Sequence, residues 1–306
     1  MTDPEQPETP TDSPADAGPE RQSTPFLVLQ FFIFPMAIVA VCVAVFVVFG
    51  LIAAEGKSAR EYLGEVRSGG ANRRWQAAFE LSKVIQAKKD PALKDPRFVD
   101  ELLSLFDDAR KDDPRVRRYL ALALGRLGDA RTVPGLVRSV ETSGPDADPE
   151  TLIYSIWALG AIGDPRAVPQ LVRFAQAEDA GLRKAAVHAL GAIPSPEVKP
   201  SLVSALQDAA LDVRWNAALA LARRGDPAAA PVLAGMLDRG ALESAKDLSP
   251  EQREEALLAA VAAAASLKDA RLMESVRTLA ERDPSLKVRD AAASLLRGRP
   301  AASTAP

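Results

Sequence analysis

One cysteine, Cys42, and one histidine, His188, are all that 306 residues contain of the two commonest soft metal ligands, and aromatic side chains make up only 5% of the chain. A single cysteine excludes disulfides within the chain and thiolate metal sites. A single histidine leaves a histidine-based metal site, a Ser-His-Asp triad and a Cys-His pair without support. No Gly-x-x-x-x-Gly-Lys-Ser/Thr loop and no strand-linked Gly-x-Gly-x-x-Gly occurs, so nucleotide binding through such loops is not expected. Carboxylates are abundant, but no pattern positions a specific acid and base pair.

Charge is absent from one stretch altogether. Residues 26–54 carry no charged side chain, and from Phe31 to Ala54 nearly every position is Phe, Ile, Val, Ala or Leu. As a helix such a run spans roughly 36 Å against a hydrocarbon core of about 30 Å. A cleaved secretory signal is argued against by the length of the run and by its acidic flank. The sequence therefore predicts a retained single-pass transmembrane helix over 26–54, with Cys42 inside it as a small apolar residue. Before it, residues 1–25 hold six acids against one base, Arg21, and are expected to be a disordered, Pro-rich acidic tail. After it come Lys57, Arg60, Arg67, Arg73 and Arg74. By the positive-inside tendency the tail lies outside an inner cell membrane and the C-terminal part in the cytoplasm, the alternative being a periplasmic C-terminal part. The whole chain has a net charge of −3, but residues 55–306 hold 37 bases against 35 acids and are close to neutral. That balance gives no bulk drive toward nucleic acid.

What is present beyond the span is a repeat. Ala-Leu-Gly-Arg-Leu-Gly-Asp at 123–129 recurs as Ala-Leu-Gly-Ala-Ile-Gly-Asp-Pro at 158–165, and degenerate copies begin at Ala189 and Ala220. The successive spacings of 35, 31 and 31 residues predict a solenoid of helix pairs. In the Gly-Asp-Pro corner, Gly163 can take the left-handed conformation that ends a helix, Asp164 can cap the next and Pro165 suits its first turn. Asp113-Pro114, Asp148-Pro149 and Asp283-Pro284 are expected to open the first helix of three pairs in the same way. The pairs are placed at 71–106, 113–142, 148–177, 179–207, 209–238 and 250–281, with a final helix at 284–297. A juxtamembrane helix and linker fill 55–70, an insertion lengthens the connection at 238–250, the solenoid ends at 298, and 299–306 is a disordered C-terminus. Tetratricopeptide and ankyrin repeats have similar periods, but their Trp-x-x-Leu-Gly-x-x-Tyr and Thr-Pro-Leu-His patterns are missing.

The run Asp212-Val213-Arg214 through Leu221, followed by Gly225-Asp226, resembles HEAT repeats, specifically the short bacterial variety also found in phycobilin lyases. The resemblance covers about 230 residues and implies an all-α HEAT-like solenoid of about six helix pairs plus a final helix. It implies ladders between neighbouring units built from Arg117, Arg183, Arg214 and Arg289 with the helix-capping Asp129, Asp164, Asp226 and Asp269. HEAT-fold metal hydroxylases carry paired His-Glu motifs, whereas His188 is followed by Ala189, so neither a metal nor a cofactor is expected. The histidine shares its repeat column with Leu122, Trp157 and Leu219 and reads as a hydrogen-bonded residue at a core edge. Trp75, Trp157 and Trp215 all fall on first helices and read as packing residues.

In such a solenoid the second helices are expected to line the concave face, which nominates Arg131, Arg138, Gln170, Arg173 and Lys199 as partner-binding residues. The expected function is a membrane-anchored scaffold or adaptor without enzymatic activity, binding an unidentified protein at the cytoplasmic face. The alternatives are a bilin-lyase-like, chromophore-handling protein and a nucleic-acid-binding HEAT protein.

Overall fold

The computed structural model describes residues 33–53, 57–142 and 148–298. The acidic tail, the start of the apolar run and the C-terminus at 299–306 lie outside them. Sixteen α-helices and short 3-10 turns account for the regular structure, and the described residues contain no strand. The chain divides into two compact units, Met1–Lys57 and Ser58–Pro306.

Among its described residues the first unit has one helix, α1 (Phe34–Ala53), whose 20 residues include no charged side chain. Its described side chains are exposed, among them Phe34, Met36 and Phe46. Among the described residues no helix is long and apolar enough to cross a membrane. Side chains in α1 are described only as far as Val48, short of the roughly 20 apolar residues a spanning helix takes.

The second unit is the solenoid. Its paired helices are α3 (Ala71–Ala87) with α4 (Pro96–Asp108), α5 (Pro114–Leu127) with α6 (Val133–Glu141), and α7 (Pro149–Ile162) with α8 (Val168–Phe174). There follow α9 (Ala180–Ala192) with α10 (Lys199–Ala205), and α11 (Leu211–Arg223) with α12 (Ala230–Leu237). After the short α13 (Arg239–Ser244) come α14 (Pro250–Leu267), α15 (Ala270–Arg282) and the final α16 (Leu286–Leu296).

Packing begins earlier than the repeat pattern suggests. Residues 55–70 read as a juxtamembrane helix and linker, yet α2 (Ala59–Ser68) buries Ala59, Leu63 and Val66 in the solenoid core. Ser58 and Glu61 form a capping box at its start, and Asp90 accepts a 2.5 Å hydrogen bond from the Ala59 N–H. The helix thus covers the apolar flank that α3 would otherwise expose, as a terminal cap must.

The corners follow the local chemistry. Gly128 and Gly163 adopt φ of +72° and +75° at the ends of α5 and α7, a conformation that costs little only without a Cβ. Asp129, Asp164, Asp226 and Asp269 each accept a hydrogen bond from the backbone N–H two residues on. For the first three of these the capped element is a single 3-10 turn, at 130–132, 165–167 and 227–229, and the short second helix starts only after it. Asp113 and Asp148 cap α5 and α7 through Arg115 N and Thr151 N. Asp283 departs from that expectation: its carboxylate accepts from the Ser285 N–H and from Arg239, but α16 starts two residues later with Ser285 as its cap. The insertion is ordered as well, with Asp238 capping α13 and Leu242 buried.

Leu124, Leu159, Leu190 and Leu221 occupy one repeat column and are fully buried. Each such side chain contributes about 1.5–3 kcal/mol relative to exposure.

Candidate interaction surface

The two rows of helices are spaced differently, and glycines record it. A Cβ on Gly125 would lie 2.8 Å from Ala158 Cα, and one on Gly160 would lie 2.6 Å from Ala189 Cα. The long helices α5, α7 and α9 therefore meet backbone to backbone. In the second row a Cβ on Gly135 of α6 would meet the Leu103 side chain of α4 at 2.6 Å, so a whole side chain intervenes between those helices.

The residues nominated on the second row are dispersed. Gln170 is 6% exposed on the packed side of α8 and offers nothing to a partner, because helical phase turns it toward the core. Arg173 is exposed and donates a 3.3 Å hydrogen bond to Gln170 Oε1. Arg131 lies on a turn, paired with Asp129 at 2.7 Å and facing Asp100 at 3.9 Å. Lys199 Nζ lies 2.7 Å from Asp226 of the following repeat, which makes it a joint between units. Arg138 is exposed on α6.

The joints use other partners than the resemblance implied. Arg183 grips both carboxylate oxygens of Asp208 at 2.8 and 2.9 Å, across the boundary of two repeats. Arg183, Arg214 and Arg289 also share a local role: each donates to the carbonyls six and five residues before it, at 177 and 178, 208 and 209, and 283 and 284. They tie down the end of the preceding connection. Arg117 instead reaches Ser139 Oγ at 2.6 Å and stacks over the Phe106 ring at 4.9 Å. Among the described contacts, none of the four arginines pairs with the four capping aspartates.

These joints make stability pH-dependent. The Arg183 side-chain bond holds the Asp208 carboxyl below its usual range; burial opposes this, and the Ala210 N–H adds to it. A folded-state pKa depressed below the unfolded value of about 3.9 contributes stability that is complete above about pH 5 and lost as pH falls through the folded value. Urea unfolding between about pH 6 and pH 3 should show a steep loss in the wild type and a shallower one in Asp208→Asn. Equal slopes would show that this pair carries no linkage.

On the long-helix row the outward positions gather aromatic rings and arginines. Tyr119 of α5 lies 6.3 Å from Trp75 and 5.1 Å from Phe79, both of α3, and 6.3 Å edge-on from Tyr154 of α7. Arg115 stacks over Trp75 at 4.7 Å, and Arg118 lies over Tyr154 at 6.0 Å. Arg118 also pairs with Asp148 at 3.0 Å and with Glu150. Two donors here, Trp75 Nε1 and Arg118 Nε, are buried without a hydrogen-bond partner among the described residues. Phe79 remains 36% exposed.

Further along, His188 keeps solvent access on α9, yet the desolvation of its ring and then Arg223 push its pKa below the ordinary value, while a hydrogen bond with Asn216 works the other way. No group of three or more His, Cys, Asp or Glu among the described residues could hold a metal ion. The aromatic cluster was not anticipated as a surface. The available signal was that Tyr119 and Tyr154 are large at a column where later repeats have Ala185 and Asn216.

The described fold is thus an all-helical, HEAT-like solenoid whose long first helices form a closely stacked row. Comparison with known proteins agrees. The family described as HEAT repeats matches 142–212 and 183–247, and the phycobilin-lyase (PBS lyase) HEAT-like repeat matches 116–142. These residues carry HEAT-like repeats of the phycobilin-lyase type. No protein of curated function matches significantly in sequence. Among solved structures, the complex of CpcE and CpcF of phycocyanin lyase from Nostoc sp. PCC7120 is similar at 23% identity. Its TM-score is 0.52, over 79% of this chain and 96% of that one. Human deoxyhypusine hydroxylase in complex with glycerol matches at 18% identity and a TM-score of 0.33, over 78% and 94% of the two chains.

Proposed function

We propose that this protein is a membrane-anchored, non-enzymatic scaffold whose solenoid binds a protein partner through the aromatic and arginine face of α3, α5 and α7. The observation that carries the reading is the cluster of Trp75, Phe79, Tyr119 and Tyr154, with Arg115 stacked over Trp75 and Phe79 left exposed. Aromatic residues and arginine are the groups enriched where interfaces draw most of their energy. Anchoring is supported by the charge-free run at 26–54 and by the 20 uncharged residues of α1. The five basic residues from Lys57 to Arg74 favour a cytoplasmic solenoid. A protein partner is further suggested by the Nostoc neighbour, itself a complex of two chains. Tethering would raise the partner's effective concentration beside other membrane components.

The test uses the full chain in cells, carrying a photo-crosslinking phenylalanine derivative at Tyr119 or at Arg138 and a reporter after the C-terminus. The proposal expects the chain to stay with membranes through alkaline carbonate, the reporter to act in the cytoplasm, and a discrete adduct from position 119 but not 138. Adducts from 138 alone would move the surface to the second row, and release by carbonate would remove the anchor.

A further inference from the structure

We propose a second binding site, where the insertion interrupts the stack: a cleft between α11 and α14 that takes a peptide segment presenting a large apolar side chain next to an arginine or lysine. The proposal is independent of the aromatic face on α3, α5 and α7.

The cleft exists because the close stacking stops there. Gly125, Gly160 and Gly191 share a repeat column and let each long helix touch the next, but the same column in α11 holds Ala222. The chain then spends residues 239–249 on the insertion before α14 begins. The result is a cavity of about 540 Å³, within the range of about 300–1,000 Å³ usual for ligand sites. Trp215, Leu211 and Leu219 of α11 form one wall, and Ala256 and Ala259 of α14 form the other. Leu248 of the insertion closes one side. Behind this wall a second cavity of about 280 Å³ is lined by Trp215, Leu211 and Ala245 as well. Trp215 thus lines both cavities and is only half-buried. An apolar side chain entering the cleft would find that ring as its contact.

The rim sets the charge. Asp212, Asp247 and Glu255 line the cleft against one base, Lys184. Lys184 is already paired with Asp212 at 2.8 Å. Asp247 and Glu255 are exposed and form no ion pair among the described residues. Two uncompensated carboxylates beside an indole fit a guanidinium or ammonium attached close to an apolar group, and they disfavour an acidic segment or a nucleic-acid phosphate.

The experiment is a selection of random displayed heptapeptides on the full chain in detergent micelles, with two variants in parallel: Asp247→Lys/Glu255→Lys, which reverses the rim, and Ala259→Trp, which fills the cleft. All three substituted positions keep solvent access, and circular dichroism confirms that helix content is retained. Wild-type protein is expected to enrich motifs in which Phe, Trp, Leu or Met adjoins Arg or Lys. Peptides so selected should bind at least about tenfold more weakly to both variants, and the reversed rim should enrich apolar motifs flanked by Asp or Glu. Acidic or uncharged motifs from the wild type, no motif at all, or the same motifs from all three proteins would overturn the proposal.

Discussion

Gly160→Ala should destabilise the solenoid by about 1–3 kcal/mol, although alanine is the better helix former by roughly 1 kcal/mol. The two effects oppose each other, and the structure decides between them. The new methyl would sit 2.6 Å from Ala189 Cα and 2.7 Å from Ala189 Cβ, so the obstacle is mainly backbone of the next helix and cannot rotate away. Relief requires α7 and α9 to move apart, which lifts Leu159 and Leu190 from their fully buried positions. Gly235→Ala is the control, since a Cβ there has nothing within 4 Å. That variant should keep the propensity gain, about 0.5–1 kcal/mol of added stability. Urea midpoints moving in opposite directions for the two variants are the expected result; a stabilised Gly160→Ala would mean that the long-helix row is not closely stacked.

Arg239→Ala carries the other large expected effect, about 3–5 kcal/mol, because it strips a buried carboxylate of its counter-ion. The Asp283 side chain is fully buried, and Arg239 Nε and Nη2 each reach one of its oxygens at 2.6 Å. The backbone N–H of Ser285, at 2.9 Å, would remain as a donor to that carboxylate. Since repeats unfold in part and not only as a whole, the loss should concentrate at the C-terminal end. Amide exchange should quicken in α13, α15 and α16 while α5 and α7 keep their protection. The double variant Arg239→Met/Asp283→Leu should recover much of the loss, since an apolar pair of similar size removes the charge altogether. Failure of Arg239→Ala to weaken that end would show that the pair is solvated and contributes little.

Sequence reasoning reached most of the helix pairs because their boundaries are written in local chemistry. Gly163, Asp164 and Pro165 act within a few bonds of one another, and no tertiary knowledge is needed to read them. It failed where the decisive neighbour is remote in sequence. Asp283-Pro284 has the letters of a helix start, yet α16 opens on Ser285, and besides the Ser285 N–H the Asp283 carboxylate holds Arg239, 44 residues earlier. Residues 59–68 lack the repeat signature and read as part of a juxtamembrane helix and linker outside the solenoid, yet Leu63 and Val66 sit in the core because α3 has no preceding repeat to cover it. Gln170 fell on a helix of only seven residues, where a small error in phase turns an outward position inward. The surface was missed for a further reason: Trp75, Tyr119 and Tyr154 look like core residues when read one at a time. Their significance lies in an adjacency that only stacking creates.

The unequal rows also have a mechanical side. Where α5, α7 and α9 meet through alpha carbons, the array has almost nothing left to compress, whereas Leu103 between α4 and α6 is a side chain that can change rotamer. Bending strain would therefore be taken up by the second row, with the long helices acting as the inextensible layer of a strip. The aromatic face on α3, α5 and α7 would keep its ring spacings while the second row flexes.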